Sequence, residues 1–209
     1  MKTSRIALIL LLTAFTPALS EAQEAQALQP AYINGTISVE GETISNVSIS
    51  ATFTYEGVTY NASTYVAGGN HYTLTVNVPA GVPLASYEIN ALAYVNDSNY
   101  ISVPATTVDI AAGETKTQDA VVTPGYIEAT VTAVNGMLDE VAINVPSGSA
   151  TSTTGTIRIP VTPGPSIYLS GTATFSGPEY VALPATTVVV EPGQTVPVSW
   201  SVAAPDTAQ

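Results

Sequence analysis

Apolar and polar residues alternate along most of the chain beyond residue 30. In segments 47–53, 72–78 and 167–175, every second residue is mainly apolar and its neighbours are mainly serine, threonine or asparagine. A period of two is typical of β-strands with one buried and one solvent-facing side. Turn residues separate these segments, and no helical period occurs after the first 22 residues. The pattern predicts an all-β protein of the sandwich type.

One hairpin can be predicted with its register. A two-residue loop at Glu56-Gly57 would pair the flanking strands so that Tyr55 and Tyr60 lie on the apolar side. The same register places Tyr65 on the solvent-facing side. We therefore expect Tyr55 and Tyr60 to belong to the core and Tyr65 to be a candidate contact for a ligand or partner.

The chain contains an internal repeat. Three pairs of segments match in the same order: 30–51 with 124–145, 72–81 with 155–164, and 100–122 with 180–202. The offset between the copies falls from 94 residues to 80, so the second copy is shorter, mostly by a loss that corresponds to residues 53–70. Co-linear matches of this kind indicate two tandem homologous modules.

The predicted organisation begins with a leader. Lys2 and Arg5 precede an apolar run at residues 6–15, and small residues follow, as in a cleaved secretory signal peptide. The predicted segments are a signal peptide (1–22), a lead segment (23–29), module 1 (30–123), module 2 (124–203) and a tail (204–209). The short Pro-Gly joint at 123–125 is expected to be crossed by few contacts, and proteases are expected to cut first there or in residues 21–29 and to leave two resistant fragments.

The charge balance excludes several kinds of partner. The chain has four Lys and Arg residues against 16 Asp and Glu, and Lys2 and Arg5 belong to the predicted leader. Nucleic acids and anionic membranes bind basic patches, so neither is expected as a partner. The apolar run of the leader is too short for a membrane anchor, and we expect no membrane insertion of the mature chain.

Residue types for most catalytic sites are scarce. The chain has no cysteine and one histidine, His71, which we interpret as a solvent-facing turn residue. Carboxylates occur in pairs at Glu40 and Glu42 and at Asp139 and Glu140, but beside turns, where solvated carboxylates are common. No catalytic residue, cofactor or metal site is predicted.

Three further patterns have ordinary interpretations. The segment Asn96–Asn99 could supply oxygen ligands to calcium, but an Asx turn is the favoured interpretation. Module 2 has no lysine for an isopeptide crosslink, and Lys116 lies near the closing strand of module 1. Glycosylation sequons occur in module 1 alone, at Asn34, Asn46, Asn61 and Asn96.

The closing strand of module 2 has an apolar stripe. Its residues are Val196, Val198, Trp200 and Val202, where module 1 has Lys116, Gln118, Ala120 and Val122. We expect the stripe to pack in its own core; the alternative is an edge strand offered to a partner. The candidate contact residues are therefore Tyr65, Trp200, Val198 and Val196.

The first module resembles a known family. The runs INGTISVEGETISNVSISA (33–51), YTLTVNVPAG (72–81) and YEINALAYV (87–95) are similar to the carboxypeptidase regulatory-like domain, a transthyretin-like β-sandwich. Module 2 matches more loosely. The resemblance implies two tandem small β-sandwich modules, Ig-like or transthyretin-like, and a non-catalytic accessory or adhesive role.

Three functions follow as hypotheses. The first is a non-catalytic structural or adhesion module, secreted, extracellular or at the cell surface, with the periplasm also possible; its partner would be a second copy, a surface polymer or a glycan. The alternative is a carbohydrate-binding accessory module that uses exposed tyrosines. The third hypothesis is an enzyme, but the spacing of the residues assigns a catalytic role to no pair of them.

Overall fold

The alternating pattern forms fifteen β-strands, and no helix occurs in residues 27–96, 98–176 and 180–205, which this computed structural model describes. The all-β prediction is confirmed. The predicted signal peptide, residues 23–26 of the lead segment and most of the tail lie outside the described residues. Within the described part, no helix has the length and hydropathy of a membrane-spanning segment.

The first half of the chain contains eight strands. They are β1 (Leu28–Val39), β2 (Asn46–Tyr55), β3 (Val58–Ala67), β4 (His71–Pro79), β5 (Ala85–Tyr94), β6 (Tyr100–Ile110), β7 (Thr115–Thr117) and β8 (Ala120–Val122). One sheet has the order β3-β2-β5-β6. In the other, β1 pairs with β4 on one side and, in parallel, with β7 and β8 on the other.

The second half repeats this topology with seven strands. They are β9 (Gly125–Asn135), β10 (Leu138–Val145), β11 (Gly148–Ser152), β12 (Thr156–Val161), β13 (Gly164–Phe175), β14 (Tyr180–Val190) and β15 (Thr195–Ala203). The sheets have the orders β11-β10-β13-β14 and β12-β9-β15. The continuous β15 takes the place of β7 and β8 and pairs with β9 in parallel.

Each half encloses its own hydrophobic core. The first core contains buried residues from Ala31 to Val122, and the second contains buried residues from Ile127 to Val202. Each core lies between the inward faces of two sheets, as the period of two predicts. We refer to the halves as the first and second sandwich.

Two buried tyrosines bond to backbone carbonyls in the first sandwich. Tyr87 Oη donates to the Asn77 carbonyl at 2.6 Å and so joins β5 to β4 in the opposite sheet, while Tyr72 Oη donates to the Gln118 carbonyl at 2.7 Å. Burial is the main cause that raises the pKa of both phenols, and for Tyr72 the nearby Asp119 adds to it.

Stability should therefore fall in alkali. Above pH 10.0, the ordinary tyrosine value, the unfolded chain releases phenol protons that the folded chain retains, so the free energy of unfolding decreases as pH rises. Urea unfolding at a series of pH values should show this loss. Tyr87→Phe and Tyr72→Phe together should reduce it, whereas Tyr65→Phe, which changes an exposed side chain, should not. An equal alkaline loss in the double variant would contradict the assignment.

The connection between the sandwiches is closely packed. Pro124, Gly125 and Tyr126 are buried, and Thr123 Oγ1 donates to Glu40 Oε2 at 2.7 Å. A Cβ on Gly125 would lie 2.3 Å from Val190 Cγ1, so glycine is needed for close packing rather than for a loose turn. Pro124 and Gly125 are thus buried, and the expectation that few contacts cross the joint and that proteases cut it first stays a prediction.

Candidate contact surface

The predicted hairpin is present. Tyr55 pairs with Val58, and the register continues without interruption along β2 and β3. Glu56 and Gly57 have φ values of 50° and 78°, the left-handed conformations that a two-residue type I′ turn requires. Glycine accepts this conformation without strain, and Glu56 is the one described non-glycine residue that adopts it. The register prediction is confirmed.

The inward tyrosines of this hairpin belong to the core. Phe53 lies 5.9 Å from Tyr60 and 5.3 Å from Tyr87 between ring centroids, and Tyr55 stacks on Phe53 at 6.3 Å. Tyr55 and Tyr60 pack against the first hydrophobic core. Both side chains are half-buried and lie on the apolar side of the hairpin, as the register predicts.

Tyr65 lies on the outer face of the first sandwich and is 60% exposed. The strand registers place it in one row with Ser48, Leu92 and Ser102 across all four strands of the sheet. Most of the face consists of serine, threonine and asparagine. We name this surface, defined by Ser48, Ser50, Ser63 and Tyr65, the outer polar face.

The apolar stripe of β15 is turned inward. Trp200 is 9% exposed, and its Nε1 donates to the Pro184 carbonyl at 2.9 Å. Val196 and Val198 are partly buried and pack against the second core. Of the four candidate contacts, Tyr65 is therefore the one that the described structure leaves exposed, and Trp200, Val198 and Val196 contribute to the sandwich itself.

Asn96 forms an Asx turn. Its Oδ1 accepts from the backbone amides of Ser98 (2.9 Å) and Asn99 (2.7 Å), which is the favoured interpretation from the sequence. Because protein donors use this oxygen, it is not free for a cation. The described residues contain no group of three His, Asp or Glu side chains that could hold a metal; Asp97 lies outside them.

The residues after this turn join the two sandwiches. Asn99 is 2% exposed, and its Nδ2 donates to the Ser149 carbonyl at 3.0 Å. The Tyr100 amide donates to the Ser147 carbonyl at 3.0 Å, and the Ser102 amide donates to Thr162 Oγ1 at 2.8 Å. We call this the Asn99 contact, and it holds the β5–β6 turn and the start of β6 against the β10–β11 and β12–β13 turns of the second sandwich.

A second contact joins Tyr126 of the second sandwich to the β1–β2 turn of the first, and Arg158 of the second sandwich packs on the same ring. The Arg158 guanidinium lies 3.8 Å from the centroid of the Tyr126 ring, a cation–π geometry. The hydroxyl of Tyr126 lies 3.5 Å from the Glu40 carbonyl, in the β1–β2 turn of the first sandwich. Burial and the nearby Glu42 raise the pKa of Tyr126. Two contacts resist rotation of one sandwich relative to the other.

The remaining sequence candidates have ordinary surface partners. His71 is exposed, as expected, and its Nδ1 lies 2.9 Å from Thr36 Oγ1. Lys116 forms an ion pair with Glu114 at 2.8 Å, and Asp139 accepts from Ser176 Oγ at 3.1 Å.

The four sequons differ in accessibility. Asn61 and Asn96 are exposed, while Asn34 and Asn46 are half-buried. Asn46 Oδ1 accepts from the Gly68 amide, and Asn61 Oδ1 accepts from Thr52 Oγ1. A glycan would be accommodated best at Asn61 or Asn96.

Comparison with known proteins places the chain in no family. No family model matches it, and no curated protein matches it. A minor pilin of Streptococcus agalactiae is similar with a TM-score of 0.39 and 14% identity over 87% of this chain and 98% of that one. The identity is too low to assign a function.

Two further solved structures are comparable. A protein from Bacteroides ovatus described as a cell adhesion candidate has a TM-score of 0.37 and 13% identity over 84% of this chain and 93% of that one. The shaft pilin of Lactobacillus rhamnosus has a TM-score of 0.37 and 7% identity over 88% of this chain and all of that one. The resemblance to carboxypeptidase regulatory-like domains therefore stays a prediction.

Proposed function

We propose that the chain is a non-catalytic structural or adhesion protein, secreted or held at the cell surface, in which the two sandwiches form one stiff spacer. The observation that carries this proposal is the pair of contacts between the sandwiches, the Asn99 contact and the contact of the Tyr126 hydroxyl with the Glu40 carbonyl. A spacer keeps its ends at a fixed distance, and two contacts across one joint favour a single orientation.

Composition supports an exposed location. The chain has a predicted signal peptide, a net charge of −12 and only 10% charged residues. Its outer polar face has hydroxyl and amide groups that water solvates well and that carry no charge. We further propose the domain limits 30–123 and 124–203, and membership of the carboxypeptidase regulatory-like type, with which a repeated sandwich topology agrees.

The location can be tested on intact cells. An epitope tag placed after Gln209 should be stained by antibody without permeabilisation, and the medium should contain any secreted fraction. A cytoplasmic protein with the same tag serves as the control and should be stained only after permeabilisation. Equal behaviour of the two tagged proteins would contradict the proposed location.

Tyr65 favours a second candidate function, that of a carbohydrate-binding accessory module. An exposed aromatic ring among hydroxyl groups is a common sugar-stacking arrangement, and Tyr65 is 60% exposed beside Ser48. On a glycan array, Tyr65→Ala should then abolish binding. Tyr168→Ala, which removes a 54% exposed ring from the second sandwich, is the matched control and should bind normally. An array without signal for the unchanged protein would eliminate this function.

A further inference from the structure

The edge strands of the two sandwiches are protected unequally. An unpaired edge can recruit another strand, and proteins commonly block it with proline, charge or a short length. Most edges here have such a feature: Pro104 in β6, Pro184 in β14, Arg158 and Pro160 in β12, Pro197 in β15, Lys116 in the three-residue β7, and the short lengths of β8 and β11.

On one side of the first sandwich, the edge strand β3 has none of these features, and β4 has only a proline at its last residue. Residues 57–87 contain no Asp, Glu, Lys or Arg. In the second sandwich the equivalent strands are the five-residue β11 and β12, which has Arg158 and Pro160. The repeat thus provides an internal comparison, in which the second copy shortens the strand equivalent to β3 and the first copy keeps it long and uncharged.

The β3 edge is the better suited of the two. It is ten residues long, contains no proline, and has no buried residue, whereas β4 ends in Pro79 and buries alternate side chains. Among the described residues, β3 pairs only with β2. Tyr55 and Val58 flank a two-residue loop, so they form a hydrogen-bonded pair. Because hydrogen-bonded and non-hydrogen-bonded pairs alternate, the backbone N–H and C=O groups of residues 59, 61, 63, 65 and 67 point away from β2.

We propose that β3 pairs with β3 of a second copy of this chain, antiparallel and about a two-fold axis at Ser63. The pairing would join two four-stranded sheets into one continuous eight-stranded sheet. Asn61 of each copy would lie opposite Tyr65 of the other, and Tyr60 opposite Val66. In this register the backbone N–H and C=O groups of residues 59, 61, 63, 65 and 67 that point away from β2 all bond to the second copy. The solvent-facing side chains of the two strands then lie on one side of the joined sheet, and the core-facing side chains lie on the other.

The absence of charge on β3 is what allows a second copy to be the occupant. Two chains of net charge −12 repel, so they can associate closely only where acidic side chains are distant. The β3 strand is such a place. On the outer side of the sheet, the nearest acidic side chain in the same row of paired residues is Glu88. Thr52 of β2 pairs with Asn61 of β3 on one side and with Glu88 of β5 on the other, so Glu88 lies two strands from the edge. Glu56 lies at the end of β3, opposite the end of the partner strand that follows Ala67.

The proposal deepens the proposed structural role and rests on it for its biological meaning, because lateral pairing is a way to assemble spacers. Its physical test is independent of location. A protein that dimerises but is absent from the surface would overturn the surface role alone, and a monomeric protein at the surface would overturn the pairing alone.

Sedimentation equilibrium of residues 23–209 tests the pairing. The unchanged protein should show a monomer–dimer equilibrium, and Ser63→Lys should weaken it at least tenfold, because two lysines would then lie opposite each other. Ser50→Lys is the matched control, since Ser50 pairs with Ser63 on the same face but lies one strand inside the edge; it should dimerise nearly as the unchanged protein does.

A backbone variant separates edge pairing from surface charge. Ser63→Pro removes an amide that points away from β2, so the β2–β3 hydrogen bonds should remain while those across the two-fold axis are lost. Circular dichroism establishes that each variant is folded, and Ser63→Lys serves as the test if the proline variant is not. A monomeric unchanged protein at all accessible concentrations, or a Ser63→Lys variant with an unchanged dissociation constant, would overturn the proposal.

Discussion

Replacing Trp200 by alanine should lower the free energy of unfolding of the second sandwich by about 3–5 kcal/mol, the usual effect of removing a large buried aromatic side chain. Trp200 is 9% exposed and bonds through Nε1 to the Pro184 carbonyl, so it connects β15 to β14 in the opposite sheet. Hydrogen exchange read by mass spectrometry should show lost protection in β9–β15. Protection in β1–β8, which enclose a separate core, should change little.

Trp200→Phe is the matched variant, because it retains most of the buried ring and loses the N–H donor. It should cost about 1–3 kcal/mol, from the smaller buried ring and the lost hydrogen bond. The intrinsic fluorescence of the unchanged protein should be blue-shifted in dilute solution, since the chain has a single tryptophan. A Trp200→Ala variant with unchanged exchange in β9–β15 would show that the stripe is a docking edge instead.

Replacing Gly148 by alanine should release one sandwich from the other. Gly148 has φ 145°, and a Cβ there would lie 2.0 Å from the Ser98 carbonyl oxygen and 2.3 Å from Asn99 Oδ1. Because the clash is with the backbone, the Asn99 contact must separate to accommodate the methyl group. The buried connection at 123–125 should then open, and limited proteolysis there should become at least tenfold faster.

Gly113→Ala is the control for this variant. Gly113 also has a positive φ, 74°, but no atom lies within 4 Å of the position that a Cβ would occupy. It should therefore bear the backbone strain of about 1 kcal/mol without disturbing the contact between the sandwiches. Similar proteolysis rates for the two alanine variants would mean that the Asn99 contact does not hold the joint.

Local chemistry explains what could be predicted from the sequence. The type I′ turn at Glu56-Gly57 is decided by two adjacent residues, and it determines the side on which Tyr55, Tyr60 and Tyr65 lie. The Asx turn of Asn96 is equally local. The inward packing of Trp200 follows from the large apolar area that a small sandwich has to bury.

The joint could not be predicted in this way. Asn99 bonds to Ser149, fifty residues later, and neither residue type signals a contact of that range. The Pro-Gly pair at 124–125 suggests a turn, although the role of Gly125 is to let β9 approach Val190. Glycine permits both a turn and a close approach, and the sequence does not distinguish them.

The open β3 edge is absent from the sequence predictions, although a signal for it exists. The residues missing from the second copy correspond to the segment that forms β3 in the first. The two copies therefore differ in this strand: β3 is long and uncharged, whereas its equivalent β11 is short. This difference between the copies can be interpreted only when the strand order is known, because an uncharged strand is open to pairing only at the edge of a sheet.

The most direct test of the stiff two-sandwich spacer is the distance distribution between spin labels at Thr107→Cys and Thr187→Cys, measured by double electron–electron resonance. Both positions are exposed, they lie on equivalent strands β6 and β14, and the chain has no other cysteine. Diluting the labelled protein in unlabelled protein removes distances between copies. The structure predicts one narrow distance, which Gly148→Ala broadens and Gly113→Ala leaves narrow. A distribution that is already broad in the unchanged protein would contradict the account.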